Sequence, residues 1–356
     1  MKLKTLLLGS AAAMIAFTGA RAADAVVAEP EPVDYVRVCD MYGAGFFYIP
    51  GTETCLSIGG YVDVQYEYTT RNGGRSSTGE ASYTGRVNFD ARNETDYGTL
   101  RSYIRLESEG GNNSTTGDAA LRDVYIELGN FSMGYRGHIF GVSGHRKVFT
   151  IVDDDNFQRD FYGQYTYAAN GLSATVGVST DSTNQVATFN AATGAATPAP
   201  AFARVASDSG RSIDPYLSVS YAASIFSLKA SVAYDSSAEE TGYGINALVT
   251  PVDGLDIWAW YEGQSDDNEF TAFENFYGVG ASYQVTDTLA LAVGYSYGDE
   301  ATGTTNTDRE RYAVGLLWNV APGLNMHAEY HHDETDPGVG PDLESDEFRV
   351  RFRRSF

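Results

Sequence analysis

The chain has 356 residues, 20% of them charged, with 25 Tyr, 18 Phe and 38 Gly but only 10 Pro. That length allows one large β domain or two or three smaller ones, and the Tyr-rich composition favours one sheet-built domain whose strands have a wet and an apolar face. With 24 bases against 47 acids the net charge is −23, which argues against nucleic acid as a partner.

Residues 1–22 read as an export signal: Lys2 and Lys4, an apolar core from Leu6 to Phe17, and the small-residue site Ala20-Arg21-Ala22. The apolar core is too short to cross a bilayer as a helix. Cleavage after Ala22 removes three bases and no acid, which takes the bases to 21 and the charge to −26. Residues 23–55 form a separate N-terminal segment, periplasmic or lumenal, that begins with the Pro- and acid-rich ADAVVAEPEPVD. It holds the only two cysteines, Cys39 and Cys55. In an oxidising compartment such a pair is expected to form a disulfide; the alternative is two buried thiols, and without a nearby His they make a poor metal site. No apolar run of about 18 residues follows the signal, so no transmembrane helix is expected.

From Leu56 the pattern changes. Along LSIGGYVDVQYEY one face carries Leu56, Ile58, Val62, Val64, Tyr66 and Tyr68, and the other Ser57, Tyr61, Asp63, Gln65 and Glu67, which is period two. In YTGRVNFDAR, Tyr83, Val87, Phe89 and Ala91 oppose Thr84, Arg86, Asn88, Asp90 and Arg92. In LRSYIRLE, Leu100, Ile104 and Leu106 oppose Arg101, Tyr103, Arg105 and Glu107. Further strands are expected near 118–129, 131–140, 161–168, 172–180, 213–223, 225–234, 241–250, 254–264, 276–285, 288–298, 310–320, 324–332 and 346–356, giving 16 between residues 56 and 356. Short connections alternate with long ones. Segments such as QVTDTLALAVGYSYG and NVAPGLNMHAEYHHD repeat one hairpin pattern with its tight turn on the same side.

Periodicity alone fits a soluble sandwich as well as a membrane barrel. Strands of about ten residues match a tilted span of hydrocarbon, whereas globular strands are nearer five or six. The even count fits a barrel with a turn side and a loop side, and the presumed inner face is too polar to build a soluble core. The fold class expected is therefore an all-β, transmembrane, antiparallel 16-stranded barrel, wide enough for an aqueous lumen. Tyr66, Tyr68, Tyr295, Tyr297, Tyr330 and Phe356 suit aromatic girdles.

The opening VRVCDMYGAGFFYIPGTETCLSIGGYV, the signal ending GARAADA and the C-terminal RFRRSF closely resemble the alphaproteobacterial general porins. The resemblance covers essentially the whole mature chain. It implies a multi-pass barrel in the outer membrane, set in lipid and lipopolysaccharide, usually a homotrimer, through which small hydrophilic solutes diffuse passively. Phe356, ending the strand with Phe348, Val350 and Phe352 on its outer face, resembles the signal read by the barrel-assembly machinery. The resemblance also implies that the third long loop, after the fifth strand, folds inward as a constriction. That position is occupied by 141–159.

On the inner wall, Arg86, Arg105 and Arg136 fall near mid-strand, with Arg101 and His138 nearby. By resemblance, wall bases face acids on the inward loop, here Asp153, Asp154 and Asp155, and the opposed charges set a transverse field that also tunes ion selectivity. The alternatives are that the arginines pair with Asp90, Glu107 or Glu127, and that the aspartates form a solvated turn or a loose calcium site. Either the triplet or the cluster His145, Arg146, Lys147 occupies the narrowest point. Arg122 has the apolar parity of its strand, which requires a bulge or a different register. The excess of acids favours a weak cation preference.

No catalytic or metal site and no cofactor is expected. Ser143 lacks the G-x-S-x-G spacing, and His327 and His331 lie about 13 Å apart on one strand face. A substrate-specific sugar channel is the alternative within the same fold. Trp258 and Trp260 could begin an aromatic track for it, although Leu255 and Ile257 have the opposite parity and leave their facing open.

Overall fold

In the computed structural model the described residues are 37–72, 74, 76–112, 119–137, 159–180, 212–268, 270–271, 273–301 and 307–356. After a 3-10 turn, Asp40–Tyr42, comes a short strand β1 (Phe46–Tyr48), which the alternation did not signal. The following strands are β2 (Cys55–Arg71), β3 (Ser76–Thr95), β4 (Gly98–Gly111), β5 (Ala120–Leu128), β6 (Phe131–Gly137), β7 (Arg159–Ala169), β8 (Leu172–Thr180) and β9 (Ile213–Ala222). Then come β10 (Phe226–Asp235), β11 (Glu240–Val252), β12 (Leu255–Gln264), β13 (Phe273–Thr286), β14 (Leu289–Ala301), β15 (Asp308–Ala321), β16 (Leu324–Asp336) and β17 (Leu343–Ser355). Strands β2 to β17 pair antiparallel with their sequence neighbours, and β17 pairs with β2, with Phe352 opposite Val64. The result is a closed 16-stranded barrel.

Closure is completed by the C-terminal residue. Phe356 and Gly60 exchange both backbone hydrogen bonds at 3.1 Å. A side chain at Gly60 would run into the carbonyl of Arg86 and the Phe356 ring, so the seam needs a glycine there. Below Phe356 the same edge of β2 is taken over by β1, with Tyr48 opposite Cys55 and Phe46 opposite Ser57. The disulfide Cys39–Cys55, with Cα atoms 6.0 Å apart, pins this segment to the barrel. Phe46 and Tyr42 pack against the disulfide, and the Arg92 guanidinium lies 4.9 Å from the Phe46 ring centre. The Tyr42 hydroxyl donates to Glu94 at 2.9 Å; burial and that carboxylate push it up to about 12.

Tight turns gather at one end. Asn170 (φ 51°) and Gly171 (φ 82°) between β7 and β8 are both left-handed, the two-residue geometry whose twist matches the flanking strands. The other end carries the long connections, and there β2, β3 and β4 run beyond the expected spans, β3 reaching 20 residues.

Parity then separates two chemistries. Val64, Tyr66, Val176, Leu217, Val293, Val314 and Phe352 are all exposed on the outside of the closed sheet. Asp63, Glu107, Ser218, Asn246, Ser282, Ser296 and Glu329 are buried on the inside. Exposed apolar atoms all round and polar groups within is the inverse of a soluble core, and it matches hydrocarbon outside and water inside. Of the expected girdle residues, Tyr66, Tyr68, Tyr330 and Phe356 are exposed on the outer face, while Tyr295 and Tyr297 are half-covered by Tyr312 and Tyr277.

Replacing Cys39 and Cys55 by Ser should lower barrel stability by about 3 kcal/mol, the loop-closure value for a bridge of this span. The conversion from folded to unfolded gel mobility on heating would then occur at a lower temperature, with open-channel conductance unchanged. An unaltered transition would mean that β1 holds the edge without the bridge.

Candidate functional site

The inner wall of β2 to β7 is a chain of guanidinium–carboxylate pairs. Glu107, buried on β4, accepts from Arg86 Nε on β3 at 2.5 Å and from Arg105 Nη2 at 2.8 Å. Arg105 also reaches Asp123 on β5 at 3.1 Å. Arg101 donates twice to Asp90, at 3.0 and 2.8 Å, and once to Glu127 at 2.9 Å, while Arg92 holds Asp90 from below at 2.8 and 2.7 Å. Antiparallel register sets Arg86 opposite Glu107, Arg105 opposite Asp123 and Arg101 opposite Glu127 as cross-strand neighbours, while Arg105–Glu107 and Arg92–Asp90 are same-face neighbours two residues apart on one strand. Arg86, Arg101 and Arg105 thus meet the wall carboxylates Asp90, Glu107 and Glu127, the alternative that the sequence left open.

Arg122 settles the question of register. Arg105 pairs with Asp123 and the next residue, Leu106, pairs with Leu121, so Arg122 is the extra residue of a β-bulge. The bulge brings two consecutive polar side chains to the lumen, and Arg122 lies 3.5 Å from Glu107 and 3.6 Å from Glu109. Arg159, expected at the end of the long loop, is instead the first residue of β7, where its Nε donates to the Arg122 carbonyl at 3.0 Å. Arg136 on β6 is placed differently from the others, its guanidinium 4.7 Å from the Tyr162 ring centre and 5.6 Å from that of Tyr125. His138, His145, Arg146, Lys147, Asp153, Asp154 and Asp155 lie outside the described residues.

β17 and β15 carry a second basic arc, which the sequence pattern alone did not single out. Along β17, Arg349, Arg351 and Arg353 share the inner face. Arg353 grips Asp63 of β2 at 2.6 and 2.5 Å, Arg349 meets Glu347 at 2.6 Å and Glu67 at 3.1 Å, and Arg351 donates to His327 at 2.8 Å. On β15, Arg309 and Arg311 converge on Asp333. The signal was present, since placing Phe348, Val350 and Phe352 outside sends these arginines inside. Tyr61 joins the two arcs, with Arg353 at 3.8 Å and Arg86 at 4.4 Å from its ring centre. A continuous belt of arginines, laced with carboxylates, therefore runs from β15 through the seam to β7.

Trp258 and Trp260 stand on the inner face with Asp256 and Glu262, while Ile257 is exposed outside. Among the described residues no group of three His, Cys, Asp or Glu is arranged to hold a metal ion.

A family model described as a porin subfamily matches residues 24–348. The chain is 31% identical over 401 residues to Porin Omp2b of Brucella suis and 33% identical over 393 residues to Porin Omp2b of Brucella abortus (strain 2308), with 100% of each chain covered. Among solved structures it is similar to the outer membrane channel DcaP of Acinetobacter baumannii, with a TM-score of 0.68 at 12% identity over 87% of this chain and 99% of that one. It is also similar to an anion-selective porin from Comamonas acidovorans, with a TM-score of 0.61 at 14% identity over 85% of this chain and 100% of that one. At these identities the two structures speak for the fold alone.

Replacing Glu107 by Gln should leave Arg86, Arg105 and Arg122 without their shared carboxylate. The expected cost is about 1–3 kcal/mol, below the value for a fully buried pair because the arginines touch lumenal water. Thermal denaturation of the purified barrel reads the cost, and ion selectivity should move toward anions. Wild-type stability in this variant would show that the wall pairs are only solvated neighbours.

Proposed function

The chain belongs to the porin subfamily and forms an outer-membrane channel, and from that premise we propose that it is a general-diffusion pore for small hydrophilic solutes and ions with a weak preference for cations. The observation that carries the cation preference is the pairing of the wall. Arginines facing water alone would draw anions, but Arg86, Arg101, Arg105, Arg349 and Arg353 are each held by carboxylates, so their attraction for anions is largely spent locally. The remaining charge of the mature chain is acidic, and that excess sets the sign of the mean potential.

In this reading residues 141–159 narrow the lumen, with Asp153, Asp154 and Asp155 facing the arginine belt. Support comes from position: the segment lies between the fifth and sixth strands of the barrel, β6 and β7, with Arg136 on β6 before it and its last residue, Arg159, opening β7. Opposed charges across a narrow aqueous passage orient dipolar solutes and disfavour apolar ones. The pore works as a homotrimer in lipid and lipopolysaccharide. The barrel-assembly machinery reads the C-terminal strand, whose terminal Phe356 is bonded to Gly60 at the seam. A channel and not an enzyme is the activity; the lumenal charges act by fixed potential and need no proton transfer.

In planar bilayers under a KCl gradient the reversal potential should report a modest cation preference. Exchanging Asp153, Asp154 and Asp155 for Asn should reduce or invert it. A clear anion preference in the wild type contradicts the proposed sign, and an unchanged potential in the triple variant removes the triplet from the pore.

A further inference from the structure

Away from the arginine belt, the inner wall of β12 to β14 has a different character. Trp258 and Trp260 project from β12 into the lumen, and the register of β13 sets Gly280 opposite Trp258 and Gly278 opposite Trp260. A Cβ at Gly280 would collide with the Trp258 indole, and one at Gly278 with that of Trp260. The indoles therefore lie across β13, against the wall, instead of standing up in the channel. Their packing continues onto Ala292 of β14, Ala313 of β15 and Leu317.

Toward the long-loop end the aromatic surface is continuous. The Phe276 ring centre is 6.2 Å from that of Trp260, and Phe273 stacks on Phe276 at 5.3 Å with planes 15° apart. Phe273 lies over Gly298, again where a Cβ has no room. Phe273 and Phe276 are buried, whereas Trp258 and Trp260 are only half-buried and present the accessible apolar surface. Apolar faces in a water-filled lumen are unfavourable unless something covers them, at least transiently.

The surroundings define what that occupant is. Asp256 and Glu262 share the β12 inner face, Asn246 of β11 stands opposite Trp260, and Ser282 of β13 stands opposite Asp256. Flat apolar faces bordered by carboxylate, amide and hydroxyl groups complement a ring with an apolar face and an equatorial rim of hydroxyls. The charged groups of β12 here are carboxylates, Lys229 of β10 lies opposite Asn246 with its charge offset by Glu262, and the arginine belt is on other strands, which together disfavour anionic solutes. We propose that Trp258 and Trp260 form a stacking subsite for neutral sugars on the lumenal wall, where a saccharide dwells on its way through. This rests on the channel reading above and deepens it by naming a solute class.

The test uses single channels in planar bilayers with maltohexaose as the probe. The wild type should show concentration-dependent transient block. Trp258→Ala and Trp260→Ala should each weaken the apparent affinity about tenfold, while Trp258→Phe and Trp260→Phe, which keep a stacking face, should retain most of it. Gly280→Ala, which displaces the Trp258 indole without removing it, should weaken block as the alanine variants do. Open-channel conductance in KCl reports the barrel itself: its loss in the wild type would defeat the channel reading. Normal conductance with no block by maltohexaose, or with block of equal affinity in both alanine variants, would overturn the subsite.

Discussion

Everything in this molecule depends on the absence of a free strand edge. In hydrocarbon an unpaired backbone N–H or C=O costs several kcal/mol, and water cannot relieve it, so sixteen strands must each find two neighbours. The seam between β17 and β2 is where that requirement falls on residues far apart in sequence. Phe352 meets Val64, the terminal Phe356 is bonded on both sides to Gly60, and the remaining stretch of β2 is paired by β1 and held by Cys39–Cys55. The N-terminal segment is thus part of the closure and not an appendage to it.

Closure converts the period of two into a division of solvents. Once the sheet is a cylinder, alternate residues have no choice but lipid or lumen, and the lumenal set can be as charged as water allows. Register then decides which charges meet. Arg86 finds Glu107 and Arg353 finds Asp63 because antiparallel pairing sets them side by side. The bulge at Arg122 adds one cation on the lumenal side, next to Glu107, and shifts the outward parity so that both Leu121 before it and Val124, Ile126 and Leu128 after it face out. On β12 to β14 the same geometry, with Gly278 and Gly280 in place of side chains, lets two indoles lie against the wall. One scaffold therefore carries an ionic arc and an aromatic arc on the same inner surface.

Much of this was legible in the sequence. Alternation located sixteen strands and the inward facing of Arg86, Arg101 and Arg105, while the two cysteines of an exported chain pointed to the Cys39–Cys55 bridge. It was weaker wherever facing depended on a neighbour. Trp258 could not be assigned from its own strand, because an indole on the inside is tolerated only when the adjacent strand supplies Gly280. Arg122 looked like an error of parity until its partner strand revealed the bulge. The pairing of wall arginines with Asp90, Glu107 and Glu127 was one of two readings, and choosing between them required register. β1 is only three residues long, too short for any period to register. Strands β2 to β4 outrun their expected ends because Gly, Ser and Thr there have no apolar alternation, although the backbone ladder continues.

The central claim is that alternate residues of each strand face water and lipid in a closed barrel. Single cysteines along β8, at Ser173, Ala174, Thr175 and Val176, test it directly, since the two native cysteines are already joined. In reconstituted protein a membrane-impermeant, water-soluble thiol reagent should label the cysteines at 173 and 175 readily and those at 174 and 176 hardly at all. Uniform labelling of all four, or the opposite alternation, would contradict the account.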